Sequence, residues 1–267
     1  MSRRSHNNIT TTKGAAQQPM IELTPIFIVV AAAVAFLVGL SKGGLGGAAG
    51  ALATPLMALV MPAEKVIGLV LPILMLADIF AVALHWRHWE RRFILLLLPG
   101  AVVGVTIGTF FITSAPTDVL RMALGVIVLL FVAYKLVEDR LLAANSYQGR
   151  DWHGLVGGTI TGFSSSLAHI GGPPVSIYLL LQEVTPRVFI ATSALFFFIL
   201  NWIKVPYYFF AGLFDVNLMW QVAWLAPLVP LGVWVGKWAA TKVDRETFEK
   251  IIVVLLAITG VMLILDI

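Results

Sequence analysis

Gly39-Leu40-Ser41-Lys42-Gly43-Gly44-Leu45-Gly46-Gly47-Ala48-Ala49-Gly50-Ala51-Leu52-Ala53-Thr54-Pro55 interrupts an apolar run that is otherwise ready to cross a bilayer. Six glycines among residues 39–50 remove side-chain bulk and weaken the helix, and Lys42 sits among them. Unpaired backbone N–H and C=O groups in hydrocarbon cost several kcal/mol each, so irregular backbone at membrane depth belongs inside protein or beside a watery cavity. This break is therefore expected to line a site. A second break, Gly162-Phe163-Ser164-Ser165-Ser166-Leu167-Ala168-His169-Ile170-Gly171-Gly172-Pro173-Pro174, stands at the matching place in the second half. Paired interruptions of this kind are the best sequence pointer to a transporter's binding site.

The composition of the chain agrees. Of 267 residues 59% are hydrophobic and 12% charged, with mean hydropathy +0.93. Soluble domains carry about 25% charged residues, so the chain reads as an all-α integral membrane protein. Lys and Arg fall between the apolar runs as topology signals rather than as a nucleic-acid patch. There is no cysteine, which excludes disulfides, thiolate metal sites and cysteine nucleophiles.

Residues 1–24 are polar and form a flexible tail. Five apolar segments follow within residues 25–137, a polar loop at 138–151 separates the halves, and five more segments occupy 152–267. Those beside the glycine breaks fall short of the roughly 20 residues a span needs, giving about 8–10 membrane segments. Pro99, Gly104 and Gly108 recur with identical spacing as Pro227, Gly232 and Gly236. The halves thus read as a duplication. Arg87, Arg91 and Arg92 make one loop basic, while the loop at 212–217 that matches it has no Lys or Arg; the neutral loop at 113–118 matches the basic Lys242, Arg245 and Lys250. Such opposite bias is what an odd-numbered repeat inserted upside down predicts. Five segments per repeat place both termini outside, although Arg3, Arg4 and Lys13 in the tail weigh the other way.

The breaks suit a small anion. Glycines let N–H groups approach a ligand, and a helix restarting after each break turns its positive end toward it. The candidate substrate-binding residues are Ser41, Lys42, Gly43, Gly44, Gly46 and Gly47 in the first break, and Ser164, Ser165, Ser166, His169, Gly171 and Gly172 in the second. Thr54 adds another hydroxyl. The plain alternative is that small residues only let helices pack closely. Lys42 is the most informative single residue, because a lysine at the centre of a membrane helix costs roughly 2.5–3.5 kcal/mol on insertion scales. His169 either donates to an anion, relays a proton, or packs against a carbonyl. Asp78, Asn201 and Lys204 lie inside later segments at corresponding depths. They either form a structural pair or carry a coupling proton or ion. No motif of a nucleotide-driven pump, metalloenzyme or hydrolase appears, so no catalytic residue, metal or cofactor is expected. A passive anion channel would use the same donors.

At these breaks, each followed by an apolar segment and a Pro-plus-basic turn, the sequence resembles the sulfite exporter TauE/SafE family of membrane permeases. The residues that carry the resemblance are Gly43-Gly44-Leu45-Gly46-Gly47 with Pro55, Gly171-Gly172-Pro173-Pro174, and the repeated Pro99/Gly104/Gly108 and Pro227/Gly232/Gly236. It covers residues 34–265. The resemblance implies a permease that moves sulfite, organosulfonates or related small anions, usually outward across the bacterial inner membrane. Its partners would be that anion and the lipid bilayer, with no nucleic acid.

Overall fold

The computed structural model describes residues 24–45, 47–143 and 150–266, which form helices and turns with no strand among them. The expected polar tail therefore lies almost wholly outside the described residues, as do Gly46 and most of the loop between the halves. The first half contains α1 (Pro25–Leu40), a π-turn at Ser41–Leu45, short α2 (Ala48–Ala51) and α3 (Ala53–Ala58), then α4 (Ala63–Leu84), α5 (Arg91–Ser114) and α6 (Thr117–Ala143). The second contains α7 (Asp151–Ala168), short α8 (Gly172–Leu180), α9 (Pro186–Phe210), α10 (Val216–Val222), α11 (Leu228–Ala239) and α12 (Arg245–Leu265).

Local chemistry explains the starts of several helices. Thr24, Thr185, Asp215 and Asp244 each accept a backbone N–H of the first turn, and Pro25 and Pro186 occupy first helical positions where no N–H is needed. Six helices are long and apolar enough to cross a membrane, or seven when α10 and α11 are joined across their 44° bend. This is a multi-pass integral membrane protein. The bend falls at Pro227, whereas Pro99, which has the same spacing to its following glycines, lies inside an unbroken α5. Helix α7, at 18 residues, reaches about 27 Å, but its glycines and serines make it less apolar. The stretch Ala48–Ala58, whose α2 and α3 hold 4 and 6 helical residues, covers only about 16 Å.

The recurrent glycines let two pairs of helices touch backbone to backbone. Helix α5 runs along α7, and a Cβ placed on Gly104 would lie 2.1 Å from the Thr159 carbonyl oxygen. Helix α11 runs along α1 in the same way, where a Cβ on Gly232 would lie 2.3 Å from the Phe36 carbonyl oxygen. Two further pairings, α4 with α9 and α6 with α12, join helices that occupy the same position in their halves, and α9 also packs on α5.

Polar contacts sort the helix ends onto two faces. On one, the Glu90 N–H meets Thr192 Oγ1, Arg92 pairs with Asp151, and Lys135 pairs with Glu249. On the other, Thr117 meets Glu64, Lys65 pairs with Asp215, and Arg121 pairs with Asp266. The first face carries Arg87, Arg91, Arg92, Arg140, Arg150, Arg187 and Lys242; among the described residues the second carries Lys65 and Arg121.

Candidate functional site

Both breaks persist in three dimensions, and each depends on one unusual backbone position. Gly44 has φ 132°, a conformation that side chains oppose, so it turns the chain out of the π-turn toward α2. In the second break His169 itself adopts the left-handed conformation, with φ 56°, and ends α7. Its backbone N–H is held by Ser165 O.

Between the breaks lies a cluster of buried polar side chains. The Lys42 ammonium leaves the first break toward α4 and pairs with Asp78 Oδ1 at 2.7 Å, passing 5.4 Å from the centre of the Phe197 ring. The second carboxylate oxygen of Asp78 accepts a 2.7 Å hydrogen bond from Asn201 Nδ2 on α9. One turn further along α9, the Lys204 ammonium donates to Ser165 Oγ at 2.7 Å and to Ser165 O at 2.8 Å. Tyr208, a turn beyond that, donates to Ser166 O at 2.7 Å. Across the two halves, Thr54 Oγ1 lies 3.0 Å from His169 Nδ1, and His169 Nε2 is buried with no partner.

The candidates do not all converge. Lys42, Ser165, Ser166, His169, Asp78, Asn201 and Lys204 come together. Ser41 faces Gly50, Ser164 donates to Ile160 O of its own helix, and Gly43 is turned to α11, where a Cβ would meet Val233 O at 2.3 Å. Gly171 is packed by Thr161, Ser165 and Phe197, while Gly47 and Gly172 border open space. Tyr208 and Phe197 belong to the cluster without having stood out in the sequence. Tyr208 had a signal, since four residues after Lys204 it must share that face of α9.

The electrostatics single out Lys204. Lys42 and Asp78 neutralise each other, but Lys204 is fully buried and, among the described residues, has no carboxylate within ion-pair distance. A buried ammonium held only by neutral oxygens is a costly arrangement unless an anion joins it. The cluster therefore holds two lysines and one carboxylate. Close by, a cavity of about 530 Å³ opens between α5 and α9, lined by Thr106, Thr109, Thr113, Pro206 and Tyr207 with flanking phenylalanines.

The family model for sulfite exporter TauE/SafE matches residues 31–263, nearly the whole described chain and both halves of this cluster. The chain belongs to that family. No curated protein and no solved structure is matched by it. Membership in the TauE/SafE family makes this a transporter-type membrane protein for small anions, and it fits a cluster of two lysines and one carboxylate.

Proposed function

We propose that this TauE/SafE member is a secondary permease for sulfite or an organosulfonate, with the anion held between the two breaks. The observation that carries the reading is Lys204, a fully buried cation whose partners are neutral. A lysine ammonium has three N–H donors, and two are used on Ser165. The remaining donor, His169 Nε2, the Lys42 ammonium and the open space at Gly172 supply an oxyanion with charge and hydrogen bonds. In this reading Lys204 takes the leading role and Lys42 the secondary one, the reverse of their sequence-based ranking.

The two halves act as inverted repeats that alternate access by moving against each other. In support, the α1–α11 contact is repeated as α5–α7, and two further contacts, α4–α9 and α6–α12, join helices at the same position in their halves. The basic face lies toward the bacterial cytoplasm, with both ends of the described chain on the opposite side, and export runs from the one to the other. The protein performs no catalysis.

The test is flux of a labelled sulfonate into reconstituted vesicles. Saturating uptake and counterflow are expected, both reduced at least about tenfold in Lys204→Met. That factor corresponds to about 1.4 kcal/mol, a modest figure for a charge-assisted hydrogen bond. Linear, non-saturating flux would point to a channel, and unchanged flux in Lys204→Met would remove the assigned site.

A further inference from the structure

We infer that Asp78 is the binding site of a coupling proton, taken up when the anion draws Lys42 away from it. The inference rests on the anion reading of the same cluster.

Asp78 is fully buried on α4; Oδ1 is ion-paired with Lys42 but takes no hydrogen bond, and Oδ2 accepts one from Asn201. Its partner differs from it in one respect. The Lys42 side chain is 22% exposed and reaches Asp78 from the irregular turn beside Gly44, so it is the member of the pair that an incoming ligand can reach. An oxyanion arriving beside Lys204 and the open space at Gly172 competes with Asp78 for that same ammonium. If the anion wins, Asp78 becomes a buried carboxylate with a single neutral hydrogen bond, which is unfavourable. A proton removes the conflict. The balance is Lys42⁺·Asp78⁻ plus anion plus H⁺ giving Lys42⁺·anion⁻ plus neutral Asp78, with the Asn201 bond kept on Oδ2. The cluster has the same net charge before and after. Anion and proton therefore favour each other's binding, by the reciprocity that governs any two linked ligands.

The groups around Asp78 are consistent with its titrating in this way. Helix α9 contributes Lys204 as well as Asn201, and the end of α7 contributes His169 beyond Ser165. From α11 the nearest charged residue is Lys237, beside the backbone of Gly43. Helices α1 and α3 present no ionisable side chain among their described residues, and those of α6, Asp118, Arg121, Tyr134, Lys135, Glu138 and Arg140, stand toward its two ends. Among these described neighbours Asp78 is the one carboxylate; the cations beside it favour its charged form, so the proton is taken up only once Lys42 has turned to the anion. Moved together, the pair crosses without net charge, and flux follows the anion and pH gradients rather than the membrane potential.

The experiment is calorimetric titration of the purified protein with methanesulfonate, whose own charge is constant from pH 5.5 to 8, in buffers of different ionisation enthalpy. Wild type should take up close to one proton per anion, with affinity falling by up to about tenfold per pH unit as pH rises. D78N should bind with no proton uptake and with affinity independent of pH. The double variant K42Q/D78N leaves no unpaired charge at this position, and if D78N does not fold it serves in its place with the same expectation. H169Q should keep the proton uptake per bound anion whatever it does to affinity. Binding in wild type without proton uptake, or uptake that persists in D78N or disappears in H169Q, would overturn the coupling role while leaving the anion site standing. Absence of any binding by methanesulfonate and sulfite alike would overturn the anion reading, and the coupling role with it.

Discussion

Thr54 Oγ1 and His169 Nδ1, 3.0 Å apart, join the helix that follows the first break to the residue that ends the helix before the second. The contact crosses from one half of the chain to the other, and Thr54 is fully buried. Replacing Thr54 by valine keeps the shape and deletes the hydroxyl, leaving a ring nitrogen without its partner. A loss of about 1–3 kcal/mol is expected, read as a lower midpoint of thermal unfolding in detergent. Thr54→Ser should recover most of it.

The helix-crossing glycines and the open glycines should behave oppositely. A methyl group on Gly104 or Gly232 would sit 2.1 or 2.3 Å from a carbonyl oxygen of the partner helix, so the helices must part. Gly104→Ala and Gly232→Ala should each cost at least the roughly 1–3 kcal/mol of an overpacked core. Gly172→Ala meets nothing within 4 Å and should be tolerated by the fold. Size-exclusion profiles and unfolding midpoints of the three variants check this.

Lys204 gives a test that separates a ligand role from a structural one. If its ammonium serves only to hold α7, Lys204→Met should lower the unfolding midpoint of the unliganded protein. For an anion site, the uncharged side chain should leave that midpoint equal or higher, since replacing a buried charge by a hydrophobe is often neutral or stabilising. The rise in midpoint on adding a sulfonate, which follows from binding to the folded state alone, should then disappear.

Orientation can be measured directly because the chain has no cysteine of its own. Trp86, 60% exposed, stands beside the basic loop, and Val216, 61% exposed, begins α10 at the other face. In right-side-out membranes, Val216→Cys should react with an impermeant thiol reagent and Trp86→Cys should react only after permeabilisation. The opposite pattern would reverse the orientation.

Much of the fold was legible because the constraints imposed by a bilayer are local. The apolar runs at α4, α5 and α9 announce themselves by length and composition, and the two breaks by glycine, serine and proline. The repeated Gly104/Gly108 and Gly232/Gly236 mark close contacts even in a single sequence, since a helix in lipid has few other reasons to give up its side chains. Legibility faded within the breaks. Ser41, Ser164 and Ser165 look alike as hydroxyl donors, yet Ser164 turns back to its own helix and Ser165 holds Lys204. Which way each points depends on the rotation of α7 against α9.

The sequence by itself determined that this chain crosses a membrane, where its helices break, and which ionisable residues lie among apolar neighbours. Composition and short-range spacing suffice for that, because burial in lipid and the freedom of glycine act on each segment separately. Only the tertiary structure decided the pairing. Asp78 and Asn201 are 123 residues apart, and Ser165 and Lys204 are 39 apart, so no local rule relates them. The sequence ranked Lys42 first and set Asp78 at the depth of Lys204, and the crossing of α4 and α9 beside the first break gave Asp78 to Lys42. Lys204 was left among neutral oxygens, and it is that distribution of partners, set by helix packing, which makes the cluster a place for an anion.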